Sequence, residues 1–146
     1  MLCNSNETRD LGIIIDNNLN FYSHISAISH KANVRASLIL RSFTTKDPVV
    51  LTKAFVIYVR PILEYCTPVW SPHTVCNINK LERCQRWFTK RVQGLYNTNY
   101  FDRLAQLGLE SLQSRRLKYD LVIVIRLFIT ISLSMAQPIL YSMSMV

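Results

Sequence analysis

The segment from Asp47 to Tyr65 constrains the fold most. Asp47-Pro48 pairs an N-cap residue with an imino acid at the first helical position, a strong helix start. Leu51, Ala54, Phe55, Tyr58, Ile62 and Tyr65 follow, and apolar residues surround much of the axis. A helix apolar on most sides must be covered on most sides, so other elements have to pack around it. Pro61 falls inside it and predicts a kink, because it removes a backbone donor and clashes with the preceding turn.

The covering elements are readable nearby. In residues 23–43, Ile25, Ile28, Ala32, Ala36, Ile39 and Phe43 recur at three- and four-residue steps, which predicts an amphipathic helix with Ser23 as its N-cap. Residues 77–95 predict a second, with Ile78, Leu81, Cys84, Phe88, Val92 and Leu95 on one side and Gly94 as its stop. Tyr100 to Leu107 predicts a short helix ended at Gly108, and Glu110 or Ser111 opens another to about Phe128. Leu11 to Ile15, rich in β-branched residues and followed by Asp16-Asn17-Asn18, predicts a strand that returns as a hairpin through Leu19 and Phe21. Thr67 to Pro72 reads as a turn or extended connector. The expected fold is mainly α: about five helices in a small array, with a short N-terminal strand or hairpin.

The chain of 146 residues has the size of one domain, and an apolar fraction of 49% excludes a disordered chain. A net charge of +8 points to an anionic partner, nucleic acid or a membrane surface. Residues 1–10 lack the apolar core of a secretory leader, and Cys3, Cys66, Cys76 and Cys84 are too irregular for a disulfide framework. Reduced thiols in the cytoplasm or nucleus are expected.

The positive charge is concentrated. Lys80, Arg83, Arg86, Lys90 and Arg91 face Glu82 alone within 80–91, and the cations lie roughly opposite the apolar stripe. Such a helix suits phosphate contacts, and Trp87 at its border suits stacking on a base or sugar. The alternative is a solvated charged face. Arg115, Arg116 and Lys118 form a second basic cluster that either extends the same surface or is likewise solvated. Cys66, His73, Cys76 and Cys84 lack the paired close spacing of structural zinc sites, so no metal is expected. His24 and His30 have no acid or nucleophile at motif spacing, and no P-loop, nucleophile elbow or H-E-x-x-H occurs. No cofactor and no small-molecule substrate are expected.

Several blocks, taken in order, carry a family likeness. They are Arg9-Asp10-Leu11-Gly12-Ile13-Ile14-Ile15-Asp16, then Leu19-Asn20-Phe21 with His24-Ile25, and Asp47 to Phe55. Next come Tyr58-Val59-Arg60-Pro61-Ile62-Leu63-Glu64-Tyr65-Cys66-Thr67-Pro68-Val69-Trp70-Ser71-Pro72 and Ile78 to Arg91. The last are Tyr100-Phe101-Asp102-Arg103-Leu104, Leu107 to Leu112 and Arg115 to Leu121. This succession resembles the region just C-terminal to the polymerase core in reverse transcriptases of non-LTR, LINE-type (Jockey-like) retrotransposons. The resemblance implies a helical, thumb-like extension packed near a primer–template duplex. The family's aromatic-Ala-Asp-Asp motif occurs nowhere in this sequence, so no catalysis is expected. On this reading residues 1–22 are a remnant of the polymerase side and 23–126 the thumb-like region. Residues 127–146 are an uncharged apolar tail that departs from the family. The tail supports a rival, a small tail-anchored membrane protein with a basic cytosolic domain. A third alternative is a translated remnant with no selected function.

Overall fold

A computed structural model describes residues 7–143, and side-chain surroundings as far as Ser134. The fold is mainly α. An antiparallel hairpin, β1 (Glu7–Asp10) and β2 (Ile13–Asp16), precedes α1 (Tyr22–Ser42), α2 (Pro48–Tyr58) and α3 (Arg60–Glu64). Then come α4 (Thr67–Trp70), α5 (Val75–Thr89), α6 (Tyr100–Leu107) and α7 (Leu112–Met143).

The hairpin differs from expectation. The partner of Ile13–Asp16 lies upstream, with Glu7 opposite Asp16 and Asp10 opposite Ile13. The reversal is the two-residue turn Leu11-Gly12, in which both residues have positive φ, 45° and 88°. That is the backbone a tight right-twisted hairpin requires. Leu19 and Phe21 belong to the connection into α1, where the Asp16 carboxylate accepts from the Asn18 and Asn20 amides at 3.2 and 2.6 Å. Ser23 is not the N-cap of α1; it lies inside the helix, and its hydroxyl donates to Glu7 at 2.6 Å. Helix and hairpin are thereby tied at their open end.

Asp47 caps α2 as its sequence position predicts, accepting from the Val49 amide at 3.0 Å. The kink predicted at Pro61 takes the form of a one-residue interruption at Val59 (φ −106°, ψ −48°): its amide still donates to the Phe55 carbonyl at 3.0 Å, and α3 begins with Arg60-Pro61. A proline ring blocks a helical carbonyl one turn upstream, so the interruption falls before the proline itself. A second difference follows at Cys66, whose φ of 56° turns the chain into α4. The expected turn or extended connector is therefore a single helical turn with Pro68 near its start, where a missing N–H costs nothing. These two changes turn about five expected helices into seven.

The core lies where α1, α2, α3 and α5 meet. Ile25, Ala32, Ala36 and Ile39 of α1 are buried against Leu51 and Phe55 of α2, Leu63 of α3, and Leu81, Cys84 and Phe88 of α5. The small residues at 32 and 36 let α1 approach its neighbours closely. The Phe55 and Phe88 rings sit 4.7 Å apart. Trp70 is fully buried, donates its indole N–H to the Tyr65 carbonyl at 2.8 Å, and meets the His24 ring edge-on at 5.1 Å. α7 continues well beyond the expected end near Phe128 and runs unbroken across 126–127. From Leu121 to Ser134 every residue on it is exposed.

Candidate nucleic-acid interface

Thr74 caps the start of α5, its hydroxyl accepting from the Asn77 amide at 3.4 Å. The helix ends at Thr89, five residues before the predicted glycine stop; Val92 and Leu95 still reach the core from the turns that follow. Leu81, Cys84 and Phe88 take one side into the core. Arg83, Arg86, Lys90 and Arg91 are exposed and Lys80 is half-buried. At about 100° per residue Lys80, Arg83 and Arg86 cover roughly 120° of the α5 circumference, and Lys90 and Arg91 follow just past its last residue.

Among the described residues none of the five makes an ion pair. Four lie over aromatic rings instead. Lys80 sits 4.2 Å from the Tyr22 ring centroid, Arg86 4.9 Å from Tyr100, Lys90 4.8 Å from Tyr96 and Arg91 3.8 Å from Trp87. An aromatic face orients a cation without neutralising it, so the charge stays available to an anion from solvent. Arg86, Lys90 and Arg91 also lie at the negative end of the helix macrodipole, a structural benefit independent of any ligand. Trp87 is half-buried against the core with Arg91 over its ring, which leaves it little free face for a base.

The second basic cluster lies elsewhere in the fold and is internally engaged. The Arg115 guanidinium grips Glu64 at two points, 2.6 and 3.0 Å, and donates to the Tyr119 hydroxyl at 3.0 Å. Glu64 holds the Arg115 pKa above its ordinary value. Lys118 pairs with Glu110 at 2.5 Å on the surface. Arg116 is 3% exposed, and burial lowers its pKa while the charge of Glu82 opposes that shift. Residues 115–118, expected either to extend the α5 surface or to be a solvated face, are placed differently. Glu64, 51 residues away, and the nearby Glu110 take up their outer cations, and the third is inside.

Sequence reasoning also missed the acid at the centre. Glu82 reads as the lone anion of a basic helix, yet it is 4% exposed. Its carboxylate accepts from the Tyr100 hydroxyl and from the Leu112 amide, the latter at 3.1 and 3.3 Å to its two oxygens. Gln85, also buried, donates to the Tyr100 hydroxyl at 3.2 Å and to the Glu110 carbonyl at 2.9 Å. One turn on, the Thr89 hydroxyl accepts from Arg103 at 3.4 Å, and Arg103 donates to the Thr98 carbonyl at 2.6 Å. Glu82, Gln85 and Thr89 are spaced i, i+3, i+7, so a polar stripe beside the apolar one was the available signal. Burial and the Glu82 carboxylate together push the Tyr100 phenol well above its ordinary pKa.

Of the expected non-ligands, Cys66 and Cys76 are exposed and Cys84 is buried, its thiol pushed up to about 12 by burial. Cys3 lies outside the described residues. Among the described residues no three His, Cys, Asp or Glu side chains gather as metal ligands, and no helix is long and apolar enough to cross a membrane.

No protein-family model matches the chain, and no solved structure matches it. The chain is similar to an uncharacterized protein of Caenorhabditis elegans, 34% identical over 115 residues. The match takes in 77% of this chain and 58% of that protein, so the chain spans less than two thirds of its relative's length.

Proposed function

We propose that this chain is a non-catalytic piece of a non-LTR retrotransposon reverse transcriptase, whose task in the parent protein is to hold the primer–template duplex through backbone phosphates. One observation carries the binding half of this reading: the outer face of α5 and the turn just after it present Lys80, Arg83, Arg86, Lys90 and Arg91 with no ion pair among the described residues. The ordered motif blocks quoted above support the family half. Phosphate contacts carry no sequence information, so the binding is sequence-independent and strongly salt-sensitive. The chain contributes no polymerase aspartate pair, and chemistry belongs to the parent enzyme.

The test is charge reversal of Arg83, Arg86 and Lys90 to Glu in the full chain, read by anisotropy on an RNA–DNA hybrid. Binding falls below detection, and any residual slope of log affinity against log salt is shallower by roughly 3, about one for each phosphate contact removed. Circular dichroism checks that the helices persist. Undiminished binding by the folded triple variant removes the assignment.

A small tail-anchored membrane protein with a basic cytosolic domain is a second reading, favoured by the exposure of Leu121, Val124, Ile125, Leu127, Phe128 and Ile131 on α7. Resistance to carbonate extraction that is lost on deleting 127–146 would support it. Full release of the intact chain by carbonate would count against it.

A further inference from the structure

A cleft of about 290 Å³ separates the hairpin from α1 and α3. Its position follows from the sequence. His24, Ala27, Ile28 and Lys31 share one face of α1 by their spacing of three, four and seven, and that face looks toward β2. The floor is apolar, made of Ile14, Ala27, Ile28 and Ile62. The rim carries Arg9 from β1 and Lys31 from α1, and Tyr65 stands at the side with its hydroxyl donating to the Leu11 carbonyl at 3.3 Å. No carboxylate is among the lining residues.

His24 adds a polar group that the fold leaves unfinished. Its Nδ1 accepts the Ile14 amide at 3.3 Å, which places the ring proton of the neutral imidazole on Nε2. That Nε2 is buried and has no hydrogen-bond partner among the described residues. A buried donor without an acceptor is costly.

We propose that this cleft binds a small organic phosphate, of nucleoside-monophosphate size or below, with the phosphate between Arg9 and Lys31 and the body over the isoleucine floor beside Tyr65. The volume lies at the small end of known ligand pockets, which excludes a dinucleotide. Two cations and no acid select a dianion over a neutral or cationic ligand. None of its lining residues is on α5, and the site does not depend on the nucleic-acid reading. It also departs from the expectation that the chain takes no small molecule. The phosphate has two sources, a free monoester or the phosphorylated end of a strand, and both present the same chemistry.

The test is amide NMR of the full chain, titrated with AMP, with adenosine, and with a hexanucleotide carrying a 5′-phosphate or a 5′-hydroxyl. AMP produces saturable shifts at Gly12, Ile14, Lys31 and Tyr65, and adenosine binds far more weakly. Arg9→Gln with Lys31→Gln weakens AMP about tenfold for each cation removed. Both side chains are exposed, so the core is untouched. Charge reversal at Arg83, Arg86 and Lys90 leaves AMP binding unchanged. Equal affinity for AMP and the phosphorylated hexamer supports a free ester as ligand; strong preference for the phosphorylated over the hydroxyl hexamer and over AMP supports a strand end. Shifts confined to residues 80–91, or AMP affinity unaltered in the Arg9/Lys31 variant, overturn the proposal.

Discussion

Glu82 joins three parts of the chain that are distant in sequence. It sits on α5, accepts from Tyr100 at the start of α6, and accepts from the first amide of α7. That amide belongs to a helix N-terminus, where a carboxylate also meets the positive end of the macrodipole. Removing it strands a phenol and an amide, and takes from the buried Arg116 one of the carboxylate charges that offset its burial. Glu82→Ala is expected to cost about 3 kcal/mol or more, in the range for breaking a buried charged network. Glu82→Gln keeps an acceptor and loses only the charge, so it costs less. Urea unfolding of both variants measures the difference, and an alanine variant within about 0.5 kcal/mol of the parent would refute the role given to this carboxylate. Why Glu82 was not legible is instructive. A single acid among five cations reads as local charge balance, and only the positions of Tyr100 and Leu112, 18 and 30 residues away, reveal what it serves. The cations themselves were legible because helical spacing alone places them outside.

Elements whose signals are local came through well. Asp47-Pro48 opened α2, Gly108 ended α6 in the left-handed conformation, and the apolar stripe of α1 became its buried face. Elements whose form depends on a remote partner did not. The hairpin closed upstream because a two-residue turn at Leu11-Gly12 pairs β2 with Glu7–Asp10, and the Thr67–Trp70 turn became helical because burying Trp70 requires a tight reversal. Besides the Ser23–Glu7 bond, the hairpin is held to α1 by the Ile14 amide donating to His24 Nδ1. Burial, aided by the charge of Arg9, lowers the His24 pKa below 6.5. The native state therefore keeps the ring neutral while the unfolded chain protonates first, so this contribution is present above pH 6.5 and is lost as the pH falls below it. A protonated ring cannot accept from Ile14. Hydrogen exchange at Ile14, corrected for intrinsic rates, should lose protection between pH 7 and 5 while Leu51 stays protected. His24→Asn, which retains an acceptor that does not titrate, should show no such step; an acid step persisting in that variant would assign it to another group.

At the scale of the whole molecule, two buried groups titrate on the alkaline side. Cys84 is pushed up to about 12 and Tyr100 is raised further, both chiefly by burial. The native state holds both protons where the unfolded chain releases them, from about pH 8.5 for a thiol and about pH 10 for a phenol. Their contributions are complete below those values and decline as pH rises, so the unfolding free energy falls from about pH 8.5 upward. Urea midpoints between pH 8 and 10.5 should drop, with a shallower drop above pH 10 in Tyr100→Phe; a flat profile would contradict the burial of both groups. The mainly α architecture and its helical array were readable from periodicity. The candidate interface was readable only in part, since Arg115 is engaged by Glu64 of α3, Lys118 by Glu110 just before α7, and Arg116 is buried.

The clamp at the root of α7 has a mechanical consequence. The helix is gripped near its start by Glu82 and by Glu64, and beyond Ile123 it projects with its side chains in solvent as far as Ser134. A rigid rod of 23 residues from Leu112 to Ser134 is about 35 Å long at 1.5 Å per residue. A swing of about 5° at the fulcrum carries the far end through roughly 3 Å, given that length. Whatever engages that arm therefore pulls, with considerable leverage, on the same carboxylate that holds α5, α6 and α7 in register.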